Sequence, residues 1–184
     1  MNDESHLINE SLQGDSSAFG QLVRIHQDRL YNAVANFIGD RTEAEDVVQE
    51  AFVQAYLKLA SFKRNAAFYT WLYRIAFNTA VSRKRRKRVE TSVDQTRENT
   101  GGEPIDEGDT PGDRMLRDEQ ASLVHAALDL LSDEHRAILI LREMDELDYD
   151  TIAEILEINI GTVRSRLHRA RAQMRDKIAE IESH

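Results

Sequence analysis

Residues 89–113 divide this chain. They hold both prolines, Pro104 and Pro111, and four of the eight glycines. Eight acids (Glu90, Asp94, Glu98, Glu103, Asp106, Glu107, Asp109, Asp113) stand against one base, Arg97, so this stretch carries −7 of the net −9. Like charges repel, and there is too little apolar surface to offset the entropy of ordering, so the segment predicts a flexible acidic tether. The 184 residues then fall into two small, nearly charge-balanced domains, residues 1–92 and 113–184, joined by a linker at 93–112.

Both flanks predict helices. Apolar residues recur at helical spacing from Ala18 onward, at Phe19, Leu22, Val23, Leu30, Ala33, Val34 and Phe37, and Gly39-Asp40 breaks the pattern. A second helix is expected from about Thr42, with Val47, Val48, Phe52, Ala55, Tyr56 and Leu59 on its apolar side. Residues 61–67 form a polar turn, and a third helix starts near Phe68. Beyond the tether, helices are expected over 113–131, 133–144, 149–156 and 160–181, with Ser132-Asp133 supplying capping oxygens. No run alternates with period two, so the fold class is all-α without strands.

Residues 68–88, FYTWLYRIAFNTAVSRKRRKR, concentrate chemistry. Five of the twelve aromatics (Phe68, Tyr69, Trp71, Tyr73, Phe77) precede six consecutive cations, Arg83 through Arg88. Aromatic faces stack on unpaired bases and a cationic run neutralises phosphates, which together suit a single-stranded nucleic acid. A core helix with a solvated basic tail fits these residues equally well.

The second helix begins with Asp40, Glu43, Glu45 and Asp46, partly explained by the favourable interaction of acids with a helix N-terminus. Asp46, Gln49 and Glu50 nevertheless share one polar face. That face is either solvated or a protein-docking surface; a metal site lacks a second ligand cluster.

Near the C-terminus, Ala153, Ile158 and Val163 are spaced as in a helix-turn-helix. The second helix then displays Arg164, Arg166, His168, Arg169, Arg171, Arg175 and Lys177, where a recognition helix meets base edges in a major groove. Glu157 occupies the turn, where a left-handed backbone would favour glycine. His168 has no partner ligand nearby, and His26 is expected simply to pack among apolar neighbours.

Several function classes are excluded. There are no cysteines, hence no disulfides, thiolate nucleophile or cysteine-based zinc site. The opening residues, MNDESHLINE, are unlike a signal peptide, and no apolar run approaches the ~18 residues needed to span a bilayer. A cytoplasmic protein without membrane insertion is expected. No phosphate-binding loop, nucleophile triad or metal quartet is present, so neither an enzyme, a cofactor nor a small-molecule substrate is expected.

Three blocks carry a family resemblance: DRTEAEDVVQEAFVQAYLKLASF (40–62), FYTWLYRIAFNTA (68–80) and LREMDELDYDTIAEILEINIGTVRSRLHRARAQMR (141–175). In this order and spacing they resemble the bacterial RNA polymerase sigma factors of the extracytoplasmic-function (ECF) group, within the sigma-70 family. The departures are Ser132 and Asn159 at frequent proline positions, and Glu157 at the usual turn glycine. The resemblance implies a region 2 helical bundle and a region 4 helix-turn-helix domain, the minimal two-domain form. It implies three partners: core RNA polymerase, promoter DNA and an anti-sigma factor.

By the same resemblance, Asp46, Gln49 and Glu50 bind a basic coiled coil of core polymerase. The turn Lys63, Arg64, Asn65, Ala66 pockets an extruded base, and Tyr69, Tyr73, Arg74 and Asn78 face the minus-ten strand. Leu72, Ile75, Ala76 and Thr79 face the core, and Trp71 fits either side. Arg83 and the cations after it follow the backbone. Arg164, Ser165, His168 and Arg169 are candidates for minus-thirty-five base edges, with Thr162 and Arg171 on phosphates. A bidentate arginine on guanine contributes ~1–3 kcal/mol of discrimination. The competing readings are a stand-alone helix-turn-helix regulator, to which residues 40–62 would be superfluous, and an adaptor that binds only proteins.

Overall fold

Side-chain caps delimit the helices much where the sequence offers them. The computed structural model describes residues 3–91 and 111–183, and among these there is helix and turn but no strand. The N-terminal domain comprises α1 (Asp3–Leu12), α2 (Ser16–Ile38), α3 (Arg41–Leu57) and α4 (Phe68–Thr91), with a short 3-10 turn at Leu59–Ser61. The Asp15 carboxylate accepts from the Ser17 amide at 2.8 Å and starts α2. Gly39, at φ +81°, ends it by donating its amide to the Ala35 carbonyl, a left-handed stop that glycine makes without strain. Asp40 then caps α3 by accepting from the Glu43 amide at 3.0 Å.

The core lies where α2, α3 and α4 meet. Leu22, Leu30, Val34 and Phe37 of α2, Val47 and Ala51 of α3, and Leu72 and Ala76 of α4 are all fully buried. Each large apolar side chain so buried contributes ~1.5–3 kcal/mol. Alanines at 44, 51 and 55 on α3 let the helix backbones approach closely. Helix α1 was not expected from the polar N-terminus. Leu7 and Ile8 are its buried pair, and a short stripe of two residues leaves little periodic signal. Glu4 of α1 also reaches His26, 2.6 Å away, so His26 is hydrogen-bonded and set beside the Phe68 ring rather than simply packed.

The C-terminal domain comprises α5 (Pro111–Asp129), α6 (Asp133–Leu139), α7 (Tyr149–Leu156) and α8 (Ile160–Glu182). Ser132 caps α6, its hydroxyl accepting from the His135 amide at 3.3 Å. The expected helix over 133–144 changes character: after Leu139 it widens into a π-type turn at Ile140–Met144, closed by the Asp145 amide on the Ile140 carbonyl. Ile138, Ile140, Leu141, Ile152, Ile155, Val163 and Leu167 fill this core. Helix α5 begins at Pro111, just inside the expected linker; residues 92–110 of that acidic segment lie outside the described residues. The two domains do not stand apart. Helix α7 packs on α4, and α6 and the π-type turn pack on α2.

Candidate nucleic-acid interface

The acidic face of α3 forms as its spacing requires. Asp46 and Gln49 are exposed and Glu50 is half-buried. Across the groove, Arg83 of α4 sits on this face, with Nη2 3.0 Å from Glu50 and Nη1 3.4 Å from Asp46. The hydrogen bond to Glu50, chiefly, raises the Arg83 pKa further. Lys87 pairs with Glu43 at 2.8 Å. Part of the basic run is therefore held against α3 in this structure rather than aligned for a DNA backbone, while Arg85 and Arg86 are exposed. Among the described residues no His, Asp and Glu cluster could hold a metal ion.

The aromatic helix divides unevenly. Phe68, Trp71, Tyr73 and Phe77 are buried, and only Tyr69 is partly open. Trp71 takes the core side, its ring centroid 5.2 Å from that of Phe62 and 5.8 Å from that of Phe68. Leu72, Ala76 and Thr79 are buried as expected, and Ile75 is half-buried. Of the strand-facing candidates, Asn78 is exposed. Tyr69 carries the Arg29 guanidinium 5.6 Å from its ring centroid, and Arg74 lies 3.7 Å from Glu157. Tyr73 is only 1% exposed, beneath the C-terminal domain. Burial first, and then the neighbouring Asp145 charge, push its phenol above the ordinary range. Neither the Tyr73 hydroxyl nor Asp145 Oδ2 has a hydrogen-bond partner of good geometry.

The preceding loop is open. Lys63, Arg64 and Asn65 are exposed and Ala66 half-buried. Arg64 adopts a left-handed backbone, φ +57°, and its guanidinium donates to the Asn9 side chain of α1. The unanticipated helix α1 therefore braces this loop.

The helix-turn-helix is fully capped. Asp148 accepts from the Thr151 amide at 2.7 Å to start α7. Glu157 ends it in the left-handed region, φ +54° and ψ +42°, the conformation that would favour glycine. Asn159, in place of a proline, starts α8: its side chain accepts from the Thr162 amide at 2.8 Å and from the Thr162 hydroxyl at 2.9 Å. Val163, Leu167 and Ala170 are buried against the domain core, which turns Arg164, Ser165, His168 and Arg169 outward to solvent. Thr162 is half-buried and serves the cap, and Arg171 bonds Glu143 at 2.6 Å. Arg166 is structural, paired with Glu134 at 3.0 Å.

Sequence reasoning missed Arg29, Arg136 and Asp145, which join the two domains. Nothing in their local spacing marks them, because their partners lie at sequence separations of 99 and 116 residues.

This arrangement has clear relatives. Residues 22–90 match Sigma-70 region 2, and residues 121–174 match Sigma-70, region 4. A stand-alone regulator has no use for the first of these. The chain is 40% identical to the RNA polymerase sigma-H factor of Pseudomonas aeruginosa, over 91% of this chain and 90% of that one. It is 35% identical to the ECF RNA polymerase sigma factor SigW of Bacillus subtilis, covering 95% and 96%. Against the ECF RNA polymerase sigma-E factor of Escherichia coli the identity is 37%, covering 95% and 94%. In fold it is similar to CnrH solved with the cytosolic domain of CnrY, with a TM-score of 0.71, 24% identity and coverage of 97% and 99%. It is likewise similar to the sigma factor RpoE of Bartonella quintana solved with the anti-sigma factor NepR, with a TM-score of 0.73, 24% identity and coverage of 88% and 96%. With an acidic α3 face, a capped helix-turn-helix and these relatives along nearly its whole length, the chain belongs to the ECF group of sigma-70 family RNA polymerase sigma factors.

Proposed function

We propose that this protein directs core RNA polymerase to a promoter by three surfaces, and itself catalyses no reaction. Asp46, Gln49 and Glu50 dock the polymerase. Arg164, Ser165, His168 and Arg169 read minus-thirty-five base edges in the major groove, with Thr162 and Arg171 on flanking phosphates. Lys63, Arg64, Asn65 and Ala66, together with Tyr69, Tyr73, Arg74 and Asn78, take the opened minus-ten strand. Arg83 follows its backbone once released from α3.

Opening a duplex costs base stacking, and a protein without a fuel site offsets that cost by binding the unpaired strand. The observation that carries this reading is the outward row Arg164, Ser165, His168 and Arg169 on a capped recognition helix, in the same chain as the exposed acidic face of α3. An anti-sigma partner is supported by a fold neighbour, the sigma factor RpoE of Bartonella quintana, which was solved with the anti-sigma factor NepR. A cytoplasmic site of action fits a chain whose described helices include none long and apolar enough to cross a membrane.

The test is transcription from a promoter library by core polymerase with and without the protein. New start sites that vanish with Glu50→Lys support the reading. DNA binding without any new start site would overturn it.

A further inference from the structure

The domains meet over part of the nucleic-acid face, where their apolar cores run together and a set of charged contacts joins them. Helix α2 ends with carbonyls that no further turn satisfies. One of them, of Phe37, accepts from Arg136 Nη1 at 3.1 Å and from Lys84 Nζ at 3.3 Å. Arg136 comes from α6, is 4% exposed, donates to the Leu128 carbonyl at 2.8 Å and pairs with Asp129 at 3.0 Å. Lys84 pairs across the joint with Asp133 at 3.1 Å. The negative end of α2 is thus neutralised by a guanidinium of the other domain. A buried cation whose donors are matched on both sides marks a specific docking.

Two further contacts lie directly over α4. Arg29 donates to the Asp145 carbonyl at 2.8 Å, and the Asp145 carboxylate, just after the π-type turn, lies beside the buried Tyr73 hydroxyl. Arg74 meets Glu157 across a cleft of about 430 Å³ that also includes Asn65, Ala66, Glu154 and Ile158. Acids here occupy the ground that phosphates would take. Glu157 is informative: its left-handed backbone disfavours a side chain, yet that side chain is the one that reaches Arg74.

We propose that this chain masks itself. The free protein rests with its C-terminal domain docked on α4 and residues 63–66. The minus-ten strand enters only after the Arg136–Phe37, Arg29–Asp145 and Arg74–Glu157 contacts part, while the recognition face of α8 stays open throughout. This rests on the reading of α4 and its loop as the minus-ten surface, and the experiment separates the two.

The chain has no cysteine, so cysteines at the exposed Gln27 of α2 and Asp176 of α8 accept a donor–acceptor dye pair. Single-molecule energy transfer on the full chain is expected to give one high-efficiency population. Lys84→Glu sets a carboxylate against Asp133 and shifts molecules to low efficiency, and K84E/D133K shifts them back. Glu157→Gly opens the cleft without disturbing a buried group, and carries the test if K84E fails to fold. The binding probe is a dye-labelled single-stranded DNA of random sequence. K84E removes a cation, yet is expected to bind it about tenfold tighter, because apparent affinity scales with the competent fraction.

A wild-type protein as low and broad in efficiency as K84E overturns the closed state. If opened variants bind the single strand no better, the minus-ten reading falls and the masking with it, although the domain docking stands.

Discussion

The two faces proposed to read DNA are built alike and presented differently. On α8, three buried apolar residues fix the rotation of the helix, and Arg164, Ser165, His168 and Arg169 are left in solvent. On α4, a similar apolar stripe packs the N-terminal domain, but Tyr73, stacked on Phe77 at its edge, is buried as well, and Arg74 is paired to Glu157. The same amphipathic logic thus yields one open and one covered face. What differs is not the helix but what lies on it. A face that meets duplex DNA can be exposed from the start, whereas one that holds an unpaired strand is needed only after melting.

The largest effect that sharpens this contrast is on α8. R164A/R169A is expected to weaken binding to the protein's own promoter duplex by ~1–3 kcal/mol for each guanine left without its arginine. By fluorescence anisotropy the weakening should be the same in a wild-type and a K84E background, because α8 is open in both. Weakening confined to K84E would mean that the α8 face is covered too.

Tyr73→Phe comes next. It removes a buried hydroxyl without a well-formed hydrogen bond while keeping the ring stacked on Phe77. The expected result is a stability gain of about 1 kcal/mol in urea unfolding, since an unsatisfied buried hydroxyl costs about that much or more. A decrease would show that the hydroxyl is satisfied by Asp145.

Glu157→Gly should separate the two regions. Relief of the left-handed strain, roughly 1–2 kcal/mol, outweighs the extra chain freedom that glycine loses, and the half-exposed Arg74 pair it removes contributes little. The melting temperature should rise while energy transfer between the domains falls.

The smallest effect is of pH. Burial chiefly raises the Asp145 pKa, opposed by Arg29 and by the Tyr73 hydroxyl; Tyr69 lies beside that tyrosine. A carboxyl whose pKa is higher in the closed state binds its proton more readily there. Closure should therefore strengthen as pH falls through the carboxylate range, and the gain should disappear as pH rises above the Asp145 value. Energy transfer followed as pH falls from neutrality into the carboxylate range checks the sign, and Asp145→Asn should remove this contribution, leaving that of Asp129, Asp133 and Glu157, the other carboxylates at the joint.

The secondary structure was legible because its signals are local. Helices α7 and α8 fall within a residue of their expected bounds, since Asp148 and Asn159 are capping residues and the apolar spacing between them is regular. The short α1 was not, because Leu7 and Ile8 alone make no period. The π-type turn at Ile140–Met144 was not either, because an extra residue in a turn leaves the sequence pattern of a helix. Asp46, Gln49 and Glu50 emerge on one face as their spacing requires. Tyr73 escaped, because its position on α4 fixes which way it points but not what meets it.

The amino-acid sequence by itself determined an all-α chain in two helical units, an acidic segment between them, and a recognition helix with an arginine-rich outer face. These follow from periodicity, capping chemistry and charge, which act over a few residues. Only the tertiary structure decided that Arg83 and Lys87 of the basic run lie against α3, that Arg136 neutralises the end of α2, and that Asp145 of the second domain meets Tyr73. Those contacts join residues separated by dozens of positions and up to 99, and no local pattern specifies which distant carbonyl or carboxylate a cation will meet once the helices pack.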